Sequence, residues 1–205
     1  MSNALTPLTL VNVEQHDYRQ VLTTPATPVQ WPLSVEDRQL IAAMKDKLYE
    51  LEGVGLAAPQ VNQPKQIIAI YIPESAALLR DHVKPYPMHI LLNPSYQGLS
   101  DSPRHADFEA CYSVADKAGK VPRFDKIMVE YYDEDGHFHR QQESGFYARV
   151  LQHEIDHVHG ILITDRLTPD RIQGSQEDMR ALRRSELSAE KRRLFDELMA
   201  KKAKK

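Results

Sequence analysis

Five consecutive residues, His153, Glu154, Ile155, Asp156 and His157, form the pattern His-Glu-x-x-His. On a helix, residues four apart lie about 40° apart around the axis, so both imidazoles share one face with the carboxylate beside them. Two imidazoles can bind a divalent cation, and an adjacent carboxylate can act as a general base on water. The pattern therefore predicts a metal site that has its own base.

The segment that contains this motif begins at Gly145 and ends at Gly160. Its apolar residues recur at spacings of three to four and are Phe146, Val150, Leu151, Ile155 and Val158. This periodicity predicts a buried amphipathic helix. Histidine and glutamate beside a buried stripe are costly to desolvate unless they are paired or bind a metal. The alternative is an exposed helix that carries ordinary polar residues.

The composition is that of an ordinary globular protein. The chain has 205 residues, of which 41% are hydrophobic and 27% charged, with a net charge of −3; this suits one domain with a core and an appendage. No apolar run is long enough to cross a bilayer, and Met1 to Gln15 lack the pattern of a secretory signal, so we expect a cytoplasmic enzyme. Cys111 is the single cysteine, which excludes an internal disulfide framework and fits a reducing compartment.

The remaining elements are predicted from local patterns. Ser34, with Asp37 three residues later, predicts the start of a helix that Gly53 should end. Segments rich in β-branched and aliphatic residues predict strands over 66–72, 89–93 and 126–132. The order of helix, strands, helix and tail predicts an α+β fold.

Asp135-Gly136 predicts a hairpin turn, from which a strand over 137–142 returns antiparallel. Residues 1–33 have several prolines and little periodicity, so we expect an extended N-terminal segment on the surface. Residues 1–175 then form the catalytic domain.

The C-terminal tail, residues 176–205, is basic. Residues 180–205 carry a net charge of +6, against −9 for the rest of the chain. Apolar residues among the charges predict an amphipathic helix. This helix either docks onto a partner or is only a solvated charged helix.

A catalytic zinc-type site needs a third protein ligand and an open position. The longer motif His-Glu-x-x-His-x-x-Gly-x-x-His is excluded because Ile163 stands at its last position. Glu177 could serve as in thermolysin-like sites, although the hydrophilic residues around it are more typical of a surface turn. The thiolate of Cys111 suits zinc or ferrous iron beside two imidazoles. The residues alone leave both candidates open.

At this point the chain resembles the peptide deformylase family, which is marked by three motifs that occur here in the family's order. The first, Gly-x-Gly-x-Ala-Ala-x-Gln, spans residues 53–60. The second, usually Glu-Gly-Cys-x-Ser, spans residues 109–113. The third, Gln-His-Glu-x-Asp-His, spans residues 152–157 without a departure. The resemblance extends from about Val21 to Leu167.

The resemblance implies a metal-dependent enzyme that removes the N-formyl group from the formyl-methionine of newly made proteins. The fold expected has antiparallel sheets packed around a central helix that carries the His-Glu-x-x-His motif, with an N-terminal helix and a basic C-terminal helix. One divalent ion is expected per chain. Fe²⁺ is implied as the physiological ion, with Zn²⁺, Ni²⁺ or Co²⁺ as other occupants.

Each site residue then has an expected role. The metal ligands are Cys111, His153 and His157, with water as the fourth. Glu154 acts as general base on that water and then as acid to the departing amine. The Gln60 side-chain amide and the backbone N–H of Tyr112 are implied as oxyanion donors.

The substrate should lie along the glycine-rich motif, where small side chains let a peptide backbone approach Gly55. Val54, Phe146 and Val150 are candidates for the pocket that holds a methionine side chain, or are ordinary core residues. Family positions also imply an ion pair between Glu109 and Arg123, against the alternative of two exposed charges. This ion pair is expected to hold the loop that carries the cysteine.

Two residues depart from the family pattern. Ala110 replaces the usual glycine before the cysteine and restricts the backbone there. Arg149 stands where many relatives carry an aliphatic residue near the substrate pocket. Its stem could line the pocket while its charge reaches water.

Two other functions remain open. One is a metallo-endopeptidase that uses His153, His157 and Glu177. The other is a ribosome- or RNA-binding protein whose metal site is vestigial. As an enzyme, the chain is expected to act on N-formylmethionyl peptides, to dock on the ribosome through its basic tail, and to bind neither DNA nor a membrane.

Overall fold

A computed structural model describes residues 7–203, which form eight strands and six α-helices. The strands are β1 (Gly55–Ala57), β2 (Ile67–Ile72), β3 (Tyr86–Gly98), β4 (Arg104–Cys111), β5 (Val114–Phe124), β6 (Lys126–Tyr132), β7 (Phe138–Ser144) and β8 (Gln173–Gly174). The α-helices are α1 (Arg19–Thr23), α2 (Val35–Leu51), α3 (Gly145–Val158), α4 (Ile163–Arg166), α5 (Gln176–Glu186) and α6 (Ala189–Lys202). Short 3-10 helices cover His16–Tyr18, Ala58–Val61 and Glu74–Leu78.

The larger sheet has five antiparallel strands in the order β1-β2-β3-β6-β7. Strands β6 and β7 form the predicted hairpin, in register from Lys126 with Ser144 to Tyr132 with Phe138. Gly136 in the turn has φ +83°, which glycine adopts without steric cost. All three predicted strands are confirmed, and the one predicted over 89–93 extends further at both ends.

The smaller sheet, β4-β5-β8, was not predicted in the sequence. Strands β4 and β5 are rich in charged residues and pair antiparallel along most of their length. Most of β4 is at least partly exposed, so it lacks the alternation of apolar and polar residues that marks a half-buried strand. Its register shifts between Glu109 and Cys111, at the end that carries the cysteine.

Helix α3 packs against both sheets, with contacts to β1, β2, β3, β5, β6 and β7. Its apolar stripe joins one core cluster with residues of the larger sheet. The helix is therefore buried, as the periodicity predicted, and the alternative of an exposed helix is wrong. The arrangement confirms an α+β fold of antiparallel sheets around the helix that bears the motif.

Helix α2 begins where the sequence predicted, because the side chain of Ser34 accepts a hydrogen bond from Asp37 N at 3.0 Å. It ends one residue earlier than expected: Glu52, not Gly53, takes the left-handed conformation, with φ +50°. A Cβ on Gly53 would lie 2.5 Å from the hydroxyl of Tyr112. Gly53 thus allows a close contact with the ring of Tyr112, and Glu52 forms the helix end.

The N-terminal segment is more buried than predicted. Among residues 7–33 it contains α1, and Val11 and Leu22 are buried in a cluster with Cys111. Trp31 packs in a different place: its ring centroid lies 4.9 Å from that of Tyr132. It also packs against Gly136 in the turn between β6 and β7. Residues 1–6, which belong to the same predicted segment, lie outside the described residues.

The tail forms two helices instead of one. Helix α5 ends at Glu186, and Ser188 caps α6 by accepting a hydrogen bond from Lys191 N. Helix α5 contacts the smaller sheet, where Gln176 Nε2 donates to Val114 O at 2.7 Å. Lys204 and Lys205 lie outside the described residues. Of the helices in residues 7–203, none has the length and apolar character needed to cross a membrane.

Candidate metal centre

Two elements bring the candidate ligands together. Cys111 is the last residue of β4, and a two-residue turn separates it from its pairing partner Val114 on β5. His153 and His157 lie one turn apart on α3. The sulfur therefore comes from the smaller sheet, and both imidazoles come from the central helix.

The geometry of these three side chains fits a divalent cation. One potential ligand atom from each of Cys111, His153 and His157 lies within 4.8 Å of the other two. Cys111 Sγ is 3.2 Å from His157 Nε2, and both residues are buried. His157 therefore presents Nε2 to the sulfur, and its buried Nδ1, on the other side of the ring, has no hydrogen-bond partner among residues 7–203. A soft thiolate beside two imidazoles is a donor set suited to zinc or ferrous iron.

Glu109 orients His153. Its Oε2 lies 2.9 Å from His153 Nδ1. The other ring nitrogen of His153, Nε2, is therefore left to face Cys111. Such a carboxylate partner fixes the tautomer of a ligating histidine. Burial lowers the pKa of His153, but hydrogen bonds to Cys111 and Glu109 outweigh burial and keep that pKa well above its usual value. Burial and the charge of His153 lower the pKa of His157.

Glu154 is buried against the glycine-rich segment. A Cβ on Gly55 would lie 2.5 Å from Glu154 Oε1, so only glycine leaves room for this carboxylate. Its Oε2 is buried and has no hydrogen-bond partner in the part of the chain that the structure describes. Burial raises the pKa of Glu154 to about 7, where a carboxylate can both accept and return a proton.

Gln60 lies on the other side of the cysteine. It is 1% exposed, its Oε1 accepts a hydrogen bond from Ala57 N at 2.9 Å, and its Nε2 donates to Cys111 Sγ at 3.6 Å. The amide is therefore held with its donor end at the sulfur. Tyr112 follows Cys111 in the turn, and its ring covers Gly53 while remaining 40% exposed.

The candidate pocket residues share one apolar cluster. Val150 is a buried member, and Val54 and Phe146 pack against it partly exposed. The guanidinium of Arg80 lies 4.6 Å from the centroid of the Phe146 ring. Val54, Phe146 and Val150 thus belong to one apolar cluster, to which the N-terminal half of α3 contributes.

The expected ion pair between Glu109 and Arg123 is present and buried, with Arg123 Nη2 2.9 Å from Glu109 Oε2. Burial would raise the pKa of Glu109, but Arg123 and His153 hold that pKa well below its usual value. Arg123 also pairs with Asp156, a buried residue within the motif. Asp156 in turn bonds Arg166 and the hydroxyl of Tyr96.

Sequence reasoning gave Asp156, Arg166 and Tyr96 no role. The presence of an acid inside a buried motif was the available signal, since a buried charge needs partners. The expectation that the charge of Arg149 reaches water is wrong. Its side chain is 11% exposed and its Nη1 lies 2.7 Å from Glu109 Oε1.

Glu177 does not join the site. It is exposed in the first turn of α5 and belongs to neither cluster of potential metal ligands found in residues 7–203. The second cluster, Asp133, Asp135 and His137, lies at the hairpin turn between β6 and β7 and is largely exposed. The structure gives no support to a peptidase site with Glu177 as third ligand.

Comparison with known proteins agrees with this geometry. The sequence profile described as polypeptide deformylase matches residues 9–173. Peptide deformylase 2 of Rickettsia conorii is 38% identical over 156 residues, which cover 74% of this chain and 77% of the relative. The peptide deformylase of Roseiflexus castenholzii is 35% identical over 163 residues, 77% of this chain and 87% of the relative.

Solved structures show the same fold. The class I type b peptide deformylase of Acinetobacter baumannii, bound to Met-Ala-Ser, superposes with a TM-score of 0.68 at 28% identity, covering 80% of this chain and all of that one. The peptide deformylase of Thermotoga maritima gives a TM-score of 0.64 at 26% identity, covering 80% and 99%. By sequence and by fold, the chain belongs to the peptide deformylase family.

Proposed function

We propose that this protein is a metal-dependent peptide deformylase that hydrolyses the N-formyl group of formyl-methionine on nascent polypeptides. The observation that carries the proposal is the convergence of Cys111, His153 and His157 beside the buried, unpaired carboxylate oxygen of Glu154. A ligand set with a base beside it is the minimum needed to split an amide with water. The peptide Met-Ala-Ser in the Acinetobacter enzyme has the form of a deformylated product.

Cys111, His153 and His157 hold the cation in this proposal. When bound, a divalent metal lowers the pKa of its water from about 15.7 toward about 7 and so supplies a nucleophile at neutral pH. We assign Fe²⁺ as the physiological ion; Zn²⁺, Ni²⁺ and Co²⁺ suit the same donors. Donor type does not decide among them, because affinity favours zinc over iron at almost any site.

Glu154 takes the proton of the attacking water and later gives a proton to the departing amine, so formate and a free N-terminus result. Its place against Gly55, out of contact with bulk water, supports this role. The Gln60 amide and the backbone N–H of Tyr112 donate to the oxygen on which negative charge develops. One such donor typically contributes about 3 kcal/mol to lowering the barrier.

The substrate lies along Val54 and Gly55, and its first side chain enters the apolar surface of Val54, Phe146 and Val150. Support comes from the partial exposure of Val54 and Phe146, which leaves apolar area for a methionine side chain to cover. A methionine side chain buried there gains about 1.5–3 kcal/mol from the hydrophobic effect.

Replacement of the two competing third ligands tests the metal site. We expect Cys111→Ala to lose the metal and the deformylation of a formyl-Met dipeptide, and Glu177→Ala to retain both. Metal content is measured by elemental analysis after gel filtration, with the unformylated dipeptide as assay control. Loss of metal in Glu177→Ala alone would instead identify a peptidase-type site.

We assign the enzyme to the cytoplasm, where formylated chains emerge from the ribosome. We assign residues 1–175 to the catalytic domain and residues 176–205 to a basic appendage that docks on ribosomal RNA. The net charge of +6 over residues 180–205 supports this, because phosphate attracts such a surface in a salt-dependent way.

A further inference from the structure

Arg149 makes three contacts that link the central helix to the smaller sheet. Its Nη1 donates to Glu109 Oε1 at 2.7 Å and to Val121 O at 2.9 Å, and its Nη2 donates to His105 O at 2.7 Å. The acceptors lie on β4 and β5, whereas Arg149 lies on α3. Two of the three are main-chain carbonyls, so one rigid guanidinium on the helix is bonded to the backbone of both strands.

Glu109 is the shared acceptor in this arrangement. Oε1 accepts hydrogen bonds from Arg149 and from Arg123 Nε at 3.0 Å. Oε2 accepts from Arg123 Nη2 at 2.9 Å and contacts His153 Nδ1 at 2.9 Å. Each oxygen therefore has two partners, and the carboxylate cannot turn away from the imidazole without breaking a contact to an arginine.

The helix is held to the sheet on both sides of His153. Arg149, one turn before it, reaches Glu109, and Asp156, almost one turn after it, accepts from Arg123 of β5. Because sulfur and imidazoles come from different elements, the distance between them depends on how the helix sits against the strand. A shift of that packing would move the histidines relative to Cys111.

We propose that Arg149 is a positioning residue for the metal centre, which holds Glu109 against His153 and keeps α3 in place beside the strand that carries Cys111. This inference rests on the proposed function, since it requires that Cys111, His153 and His157 bind the cation. Groups that orient a ligating histidine typically change metal affinity or activity 10- to 100-fold when removed.

The test compares three variants of the full chain loaded with Co²⁺. Arg149→Met keeps an apolar stem and removes every donor, and Arg149→Lys keeps the charge with a single donor group. Arg140→Met is the matched control, because Arg140 is an exposed arginine of β7 whose ion pair, among residues 7–203, is with Glu130 at 3.4 Å. The measurements are the visible spectrum of bound cobalt, its rate of release to a chelator, and kcat and KM for a formyl-Met peptide.

We expect Arg149→Met to release cobalt about tenfold faster or more, with an altered spectrum, a lower kcat and an unchanged KM. Arg149→Lys should lie between Arg149→Met and the parent, and Arg140→Met should match the parent. Release is compared well below the unfolding temperature of each variant, so that reduced overall stability does not imitate the effect. If Arg149→Met is insoluble, Arg149→Lys carries the same comparison.

Two results would overturn the inference. One is a release rate and spectrum in Arg149→Met equal to those of the parent. The other is a raised KM with unchanged release, which would make Arg149 only a wall of the substrate pocket. Failure of the parent protein to bind cobalt would be a different result, because it would reject the proposed ligand set itself.

Discussion

At the scale of single residues, the site depends on polar atoms that are buried without their usual partners. Glu154 Oε2 and His157 Nδ1 are both in this state. An unpaired buried polar atom typically costs about 1–3 kcal/mol. Trp31 Nε1 and Arg192 Nε are in the same state away from the site, so it is the position of Glu154 Oε2 beside the three candidate ligands that distinguishes a site for chemistry.

Glu154→Gln tests the proposed base with little change in shape. We expect kcat to fall by about 10²- to 10⁴-fold, because glutamine cannot accept the proton, while metal content stays at the level of the parent. Formate release measures kcat, and elemental analysis measures the metal. A variant that retains most of its kcat would reject Glu154 as the base.

Gly55→Ala tests the space that Glu154 occupies. The added Cβ would lie 2.5 Å from Glu154 Oε1, closer than such atoms approach, so the carboxylate must move. We expect kcat to fall by at least about tenfold, since a displacement of about 1 Å can cost a hundredfold. Circular dichroism checks that the fold is retained, and unchanged activity would show that Glu154 acts from another position.

At the scale of elements, the sequence predicted those helices and strands whose residues follow a local periodic pattern. Helix α3 has its apolar residues at helical spacing, and the β6–β7 hairpin has its turn glycine, so both were predicted. Strands β4 and β5 were missed because most of β4 has no buried apolar face that would produce an alternating pattern. Backbone pairing with β5 holds it in place instead. The break at Ser188 was missed because apolar positions before and after it remain close to helical spacing.

Part of the candidate site could be predicted from the sequence for the same reason. The His-Glu-x-x-His spacing brings His153, Glu154 and His157 together within one helix. The position of Cys111 depended on the family motif, because the sheet that carries it was not predicted. The contact of Arg149 with Glu109 joins residues 40 apart in sequence, and no local pattern encodes it.

Helix α2 offers a test of pH dependence. Burial would raise the pKa of Asp37, but the hydrogen bond and charge of Lys65 outweigh burial and lower that pKa below its ordinary 3.8. The carboxylate therefore stabilises the fold above pH 3.8, and this contribution is lost as the pH falls through the lower, folded-state pKa.

We expect Asp37→Asn to lower the free energy of unfolding at pH 7, and the difference from the parent to shrink as the pH falls below 3.8. Urea denaturation at a series of pH values measures this difference in the free energy of unfolding. Asp46→Asn is the matched control, because Asp46 is an exposed acid on the same helix. A difference independent of pH would mean that Asp37 acts through packing alone.

At the scale of the whole molecule, the two tail helices differ in how they are held. Helix α5 is attached to the body through Gln176 and through the pair of Lys120 with Glu186 at 2.8 Å. Helix α6 has one buried residue, Phe195, and reaches the body through the pair of Lys191 with Asp81 at 2.7 Å. Helix α6 has five basic residues against three acidic ones, with Lys201 and Lys202 exposed at its end, whereas α5 has three of each. Helix α6 is therefore the better surface for an anionic partner.

A chain that ends at Leu187 tests ribosome docking: it keeps the contact of α5 with the smaller sheet and removes the contact of Arg184 with Asp196 of α6. We expect it to cleave short formyl peptides at the rate of the full chain and to co-sediment less with ribosomes. The difference in co-sedimentation should narrow as salt is raised, because the removed residues have seven basic side chains against three acidic ones. The double substitution Lys201→Gln and Lys202→Gln is a milder version, and equal co-sedimentation of all three chains would reject the docking role.

The position of Trp31 has a practical consequence. It is the single tryptophan of the chain, and it packs by Tyr132 at the hairpin of the larger sheet, in a different core cluster from Cys111. Its fluorescence should follow unfolding of that sheet while staying constant during cobalt titration. The chain thus contains an intrinsic optical probe that separates loss of fold from loss of the ion in one sample.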